Sequence, residues 1–131
     1  MAHTIALFGE AEKGEYRTAY FCQTLSQLSE NLGHPPENSL GLYYAVQALL
    51  FRRNLIFFRV KEEGFSVQDY LLGIRFLENK QLVSSLSAIC LPGVGDMEIL
   101  DATEPVCCLY KSFLITTESD LYDFLTSQPV S

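Results

Sequence analysis

Four short apolar runs punctuate the chain, Thr4 to Phe8 (TIALF), Leu55 to Val60 (LIFFRV), Ser87 to Leu91 (SAICL) and Phe113 to Thr116 (FLIT), and a stretch of helical spacing follows each one. Strands buried on both faces read as continuous apolar runs, and strands joined through helices pair in parallel. None of the connections is short enough for a tight hairpin. The alternation therefore predicts an α/β chain in which these four strands are mutually parallel, wound as βαα-βα-βα-βα with about five helices.

The helical stretches are read from their apolar spacing. Phe21, Leu25, Leu28 and Leu32 recur at 4-3-4 intervals and predict a helix from about Arg17 to Leu32, ended by Gly33 and barred from continuing by His34-Pro35-Pro36. Leu42, Ala45, Val46, Leu49 and Leu50 mark a second helix, with Asn38 or Ser39 placed to cap it and Arg52 and Arg53 suited to its last turn. Tyr43, Tyr44 and Phe51 widen its apolar surface beyond one face, as expected of a helix sandwiched in a core or forming half of a homodimer interface. Ser66-Val67-Gln68-Asp69 resembles a capping box, and Val67, Tyr70, Leu71, Ile74 and Leu77 stripe a third helix. Asp96 can cap a helix from Met97 that Pro105 kinks or restarts, and Thr117 or Ser119 opens a terminal helix bearing Leu121, Phe124 and Leu125.

With 131 residues, 48% hydrophobic, the chain is expected to form one domain over 1–131 with a core that needs no disulfide or metal. Nine basic against sixteen acidic side chains give a net charge of −7, which disfavours nucleic acid and anionic lipid as partners. No apolar stretch reaches the ~18 residues of a membrane span, and Met1-Ala2-His3-Thr4 does not read as the start of a signal peptide. A cytoplasmic, soluble protein is expected. Cys22, Cys90, Cys107 and Cys108 lack CxxC spacing and read as core thiols, while His3 and His34 match no ligand pattern, so no metal site is expected.

In a parallel sheet, ligands gather beyond the carboxyl ends of the strands. The loops there are Gly9 to Tyr16, Lys61 to Ser66, Pro92 to Met97 and Thr117 to Asp120. Gly9 and Gly14 have the spacing of a phosphate-binding loop, yet Glu15 and Tyr16 stand where the lysine and hydroxyl of that loop belong, so two glycines easing a turn is the competing reading. Leu91-Pro92-Gly93-Val94-Gly95-Asp96-Met97-Glu98 ends a strand with two glycines and a helix start, whose amides suit a phosphate or carboxylate. Glu10, Glu12, Glu15, Glu62, Glu63, Asp96, Glu118 and Asp120 crowd the same loops, against Lys13 and Lys61. That crowd repels an anion unless a divalent cation such as Mg2+ intervenes, or it serves as a solvated rim.

The order IALFGEAEKGEY, SLGLYYAVQALL, SAICLPGVGDMEI resembles the Rossmann-like superfamily of cytokinin-activating phosphoribohydrolases once labelled lysine decarboxylases, over most of the chain. The resemblance implies a three-layer Rossmann-like sandwich, here with a small sheet of about four strands, dimers, and ligand contacts at Gly9, Gly14, Gly41, Gly93, Gly95 and Asp96. Gly41-Leu42 matches the family's Gly-Leu-Met helix start with Tyr43 for Met. Pro92, Gly93, Gly95 and Asp96 match its Pro-Gly-Gly-x-Gly-Thr motif with one glycine missing and Asp for Thr. Glu98, the catalytic candidate, falls one residue before the family's glutamate, where this chain has Ile99, about 100° away on a helix. Arg75, the nearest counterpart of its arginine, lies out of register.

Two functions from different classes follow as expectations. One is a Rossmann-like protein that binds a nucleotide-like or other small anionic ligand at the glycine-rich loops and has lost the chemistry; if catalysis remains, it is that of a nucleotide-directed hydrolase. The other is a non-enzymatic acidic interaction module, an adaptor or a chaperone of a bacterial secretion system. Secretion chaperones of this size use an antiparallel sheet, so strand direction discriminates between them.

Overall fold

A computed structural model describes residues 3–127. The four expected strands form: β1 (Thr4–Gly9), β3 (Asn54–Arg59), β4 (Ala88–Cys90) and β5 (Phe113–Ile115), joined by a further strand, β2 (Ala19–Cys22). The sheet order is β2-β3-β1-β4-β5. β1 pairs in parallel with β3 and β4, and β4 with β5, so the parallel core is as expected. The sheet nevertheless has five strands and is mixed, because β2 runs antiparallel to β3.

That fifth strand corrects the helix expected over Arg17 to Leu32. Helix α1 covers only Leu25–Leu32. Arg17 turns the chain at φ 57°, its N–H bonds the Arg59 carbonyl at 2.8 Å, and the Arg59 N–H bonds Thr18. Ala19, Tyr20, Phe21 and Cys22 then continue alongside β3, as aromatic side chains favour. Thr24 and Gln27 close a capping box, which starts the helix after the strand instead of through it. Leu28 and Leu32 are buried, whereas Phe21 lies exposed on the strand, edge-on to Phe76.

The remaining helices are α2 (Gly41–Leu50), α3 (Val67–Leu77), α4 (Met97–Tyr110) and α5 (Glu118–Ser127). The side-chain alternation of β1 and β3 splits the core into two layers. Ile5, Leu7, Leu55 and Phe57 face α1, α2 and α5; Ala6, Phe8, Ile56 and Phe58 face α3 and α4. Helices on both faces of a mostly parallel sheet are the layers of a Rossmann-like α/β arrangement. Gly73 lets α3 seat directly on the sheet, since a Cβ there would collide with the rings of Phe8 and Phe58.

Local expectations fare unevenly. Asp96 caps α4 through the Glu98 and Ile99 amides, and Thr117 caps α5 through that of Asp120. Helix α4 runs through Pro105 without ending. Neither Asn38 nor Ser39 caps α2: its N-cap is Leu40, and the Ser39 hydroxyl bonds Pro36. Arg52 and Arg53 lie past the C-cap Phe51, where Arg53 donates to the Phe51 carbonyl. Ser66 makes no side-chain cap bond, and Asp69 is buried against the Lys61 amide and Arg17. Cys22 and Cys90 are core thiols, raised in pKa by burial; Cys107 is half-buried and Cys108 exposed. No described helix is long and apolar enough to cross a membrane.

Candidate functional site

Strand order reverses between β1, which leads toward β3, and β4, which leads on to β5, so a ligand crevice belongs at the carboxyl ends of β1 and β4. Gly9 closes β1 and Gly41 opens α2, and the two glycines meet back to back: a Cβ on either would come within 2.9 Å of the other's Cα. This approach aims the first amides of α2 at the crevice, where helix geometry favours an anion.

A carboxylate of the chain itself occupies that place. Glu63, from the loop after β3, accepts the Leu40 amide on Oε2 at 2.7 Å and the Gly41 and Glu10 amides on Oε1 at 3.1 and 3.0 Å. Glu10 returns the bond, accepting the Glu63 amide on Oε2 at 2.9 Å. Burial pushes the Glu63 carboxyl above the ordinary carboxylate range, against the pull of its three amide donors, and the neighbouring Glu10 charge pushes it the same way.

The loop bearing Glu63 also closes over the crevice. A Cβ on Gly64, at φ 91°, would come 2.7 Å from the Gly93 carbonyl, so this loop rests on the loop after β4. The Gly64 amide is fixed by the Tyr70 hydroxyl at 2.7 Å, and Tyr70 stacks on Phe8. Arg59 secures the loop after β1: it donates to the carbonyls of Gly14 and Ala11 and lies 4.1 Å from the Tyr16 ring centroid.

Of the residues singled out from sequence, Gly9, Gly41 and Gly93 therefore converge, together with Glu63 and Gly64. Gly14 does not join them. It turns the loop at φ 99° beside Asn31 and Tyr20, the easing-turn reading of the two glycines. Gly95 and Gly93 have open space where a Cβ would stand, and Asp96 is spent on capping α4. Glu98 is exposed on the first turn of α4 while Ile99 is buried in the core, as the rotation of one helical position requires.

The acidic rim is largely structural. Besides Glu10, Glu63 and Asp96, Glu12 accepts the His34 amide at 2.9 Å and Glu118 accepts from Gln47 at 3.0 Å. Among the described residues no three His, Cys, Asp or Glu side chains are grouped to hold a metal ion, so a donor set for Mg2+ is not assembled there. Sequence reading passed over Glu63 and Arg59 as bonding groups. For Glu63 the chain gives no local signal, because Asn38 and Ser39 stand where a cap for α2 is expected; for Arg59 the signal is a lone arginine in an apolar strand.

Apolar surface lies elsewhere. Phe21, Leu72, Phe76 and Leu82 line a groove of about 560 Å3 between β2 and α3, flanked by Arg17 and Arg75. Helix α2, expected to be either buried or half of an interface, buries Leu42, Tyr44, Ala45 and Leu49 while leaving Tyr43 and Leu50 exposed. No family model, curated protein or solved structure matches the chain.

Proposed function

We propose that this protein is a non-enzymatic acidic interaction module of adaptor type, which keeps a Rossmann-like frame and does not turn over a nucleotide. The observation that carries this reading is the Glu63 carboxylate on the Leu40, Gly41 and Glu10 amides. A phosphate would have to expel a tethered carboxylate and then sit beside Glu10, whose charge repels it. The mutually parallel core strands are those the ligand-binding reading expects and count against a secretion chaperone, for which an antiparallel sheet is expected, so the interaction-module reading narrows to an adaptor and rests on the Glu63 cradle. The resemblance to phosphoribohydrolases fits a shared frame with lost chemistry, since Glu98 is exposed one position from the buried Ile99.

Thermal shift with adenosine monophosphate, inorganic phosphate, a sugar phosphate and Mg2+ at millimolar concentration tests this. A ligand of the folded state raises the melting temperature by mass action. We expect no concentration-dependent rise, and no base release from adenosine monophosphate with or without Mg2+; a rise of several degrees, or release abolished by Glu98→Ala, overturns the reading.

The second reading, a small anionic ligand at the glycine-rich loops, is favoured by one observation: the space over Gly93 and Gly95 is open. If it holds, Gly95→Val removes the thermal shift and leaves the fold intact.

A further inference from the structure

We infer that the outer edge of β2 takes an extended acidic segment of a partner protein, which adds antiparallel to the sheet and lays its apolar side chains against α3. The Arg59 amide bonds the Thr18 carbonyl, and from there the register sets Tyr20 against Phe57 and Cys22 against Leu55. Hydrogen-bonded pairs alternate along an antiparallel ladder, so Thr18, Tyr20 and Cys22 turn their backbone groups to β3 while Ala19 and Phe21 turn theirs outward. β2 ends the sheet, and among the described residues no loop or helix bonds those outward groups. The strand, AYFC, carries neither charge nor proline, two devices by which an edge refuses a partner. A groove of about 560 Å3 runs beside it, where Phe21, Leu72 and Leu82 are 55%, 42% and 54% exposed. Phe21 and Leu82 also border an uncharged cavity of about 270 Å3 at the amino end of the sheet, which lengthens the groove. Ala19 and Phe21 oppose Phe58 and Ile56, which face α3, so residues of an added strand that pair with Ala19 and Phe21 point their side chains into the same layer.

Charge narrows the occupant. In a chain of net charge −7, the groove is lined by Arg17 and Arg75 and, among the described residues, by no carboxylate. Asp69, which accepts from Arg17 Nε, is buried and leaves that guanidinium exposed. Arg75, in the last turn of α3, makes no ion pair among the described residues, and Glu78 at the end of that helix does not line the groove. The other edge strand, β5, also exposes Phe113 and Leu114, but its cavity is lined by Asp120 and Asp123, which turn an acidic segment away. In strand addition the main chain gives affinity and alternate side chains give specificity. Two apolar residues one apart, flanked on the same face by Glu or Asp, therefore match this edge: the apolar pair meets Leu72 and Leu82, and the acids meet the two arginines.

The inference rests on the interaction-module reading and names the chemistry of its partner. The groove shares no residue with the Glu63 cradle, so the anion panel and a peptide titration fail independently. The probe is the peptide acetyl-Glu-Thr-Ile-Thr-Val-Thr-Glu-amide, whose Glu, Ile, Val and Glu share one face of a strand. Titrated into the isotope-labelled full chain and followed by NMR, it should bind saturably with a Kd below ~1 mM and shift the Ala19 and Phe21 amides most. N-methylation of its Ile and Val, whose amides face β2, should weaken binding at least ~10-fold, while N-methylation of the two inner Thr amides, which face away, should leave it within ~2-fold. Leu72→Glu should weaken binding at least ~10-fold, and Leu114→Glu on β5 should leave it as it was. Both side chains are exposed, so circular dichroism should show an unchanged fold. The peptide with Lys in place of both Glu should bind the wild type ~10-fold more weakly, and Arg75→Glu should narrow that gap at least ~3-fold. No saturable binding, an N-methyl pattern that is flat or reversed, or a Lys peptide that binds as well as the Glu peptide overturns the inference. So does a groove that takes up dodecanoate, or a second copy of the chain in sedimentation, and no peptide.

Discussion

Helices α2 and α4 both begin at the carboxyl edge of the sheet, and they satisfy their first amides in opposite ways. Helix α4 is capped from within: Asp96, immediately before Met97, accepts the Glu98 and Ile99 amides at 2.9 and 3.2 Å. Helix α2 has Leu40 at its N-cap, with no side chain to offer, and is capped by Glu63 from a loop more than twenty residues along the chain. A local cap stabilises one helix. A distant cap also joins the loops after β1 and β3, because the same carboxylate holds the Glu10 amide and Glu10 holds that of Glu63. The site that elsewhere would receive a ligand becomes part of the scaffold.

The largest difference between the two starts should appear on truncation. Glu63→Ala leaves three amides without their acceptor and releases the loop that rests on Gly93; we expect a loss of about 3 kcal/mol in denaturant unfolding. A loss no larger than that of an ordinary helix cap would mean that the two loops are not coupled. Asp96→Ala should cost about 1 kcal/mol, the usual value of an N-cap, and leave the loop after β3 unmoved. If Asp96→Ala proved the more damaging of the two, the comparison would be inverted.

The two caps should also differ with pH. Burial raises the Glu63 carboxyl, so the folded chain holds that proton to higher pH than the unfolded chain does. The stability this contributes is complete below about pH 4.3, the ordinary glutamate value, and is lost as pH climbs through the raised value. The melting temperature of the wild type should therefore fall more steeply across that window than that of Glu63→Gln. Equal slopes would show that Glu63 titrates as an exposed carboxylate.

The smallest effect is expected at Gly95. A Cβ there meets nothing within 4 Å, so Gly95→Val should shift stability by less than about 0.5 kcal/mol. At Gly41 the same change drives a side chain into Gly9 and Glu63 and should be felt throughout the carboxyl edge. Thermal melts of the two variants side by side separate a glycine that the fold needs from one that it leaves open.

Sequence by itself determined the features that reside in neighbouring residues. Continuous apolar runs specified four parallel strands, because β1, β3 and β4, covered on both faces, need no polar alternation, while β5 at the sheet edge leaves Phe113 and Leu114 exposed; Asp96 and Thr117 announced their helices because a cap acts across three residues; Gly33 ended α1 at φ 76°. Tertiary structure alone decided β2, the capping of α2 and the burial of Arg59. Phe21 lies at helical spacing from Leu25, yet the free edge of β3 offered its backbone a ladder that the isolated segment does not contain. Glu63 reads as one more acidic rim residue until the closeness of Gly9 and Gly41 brings two amides of α2 within its reach. Local propensities are written along the chain, whereas the partner of a buried amide or the neighbour of an edge strand is fixed only once distant segments are brought together.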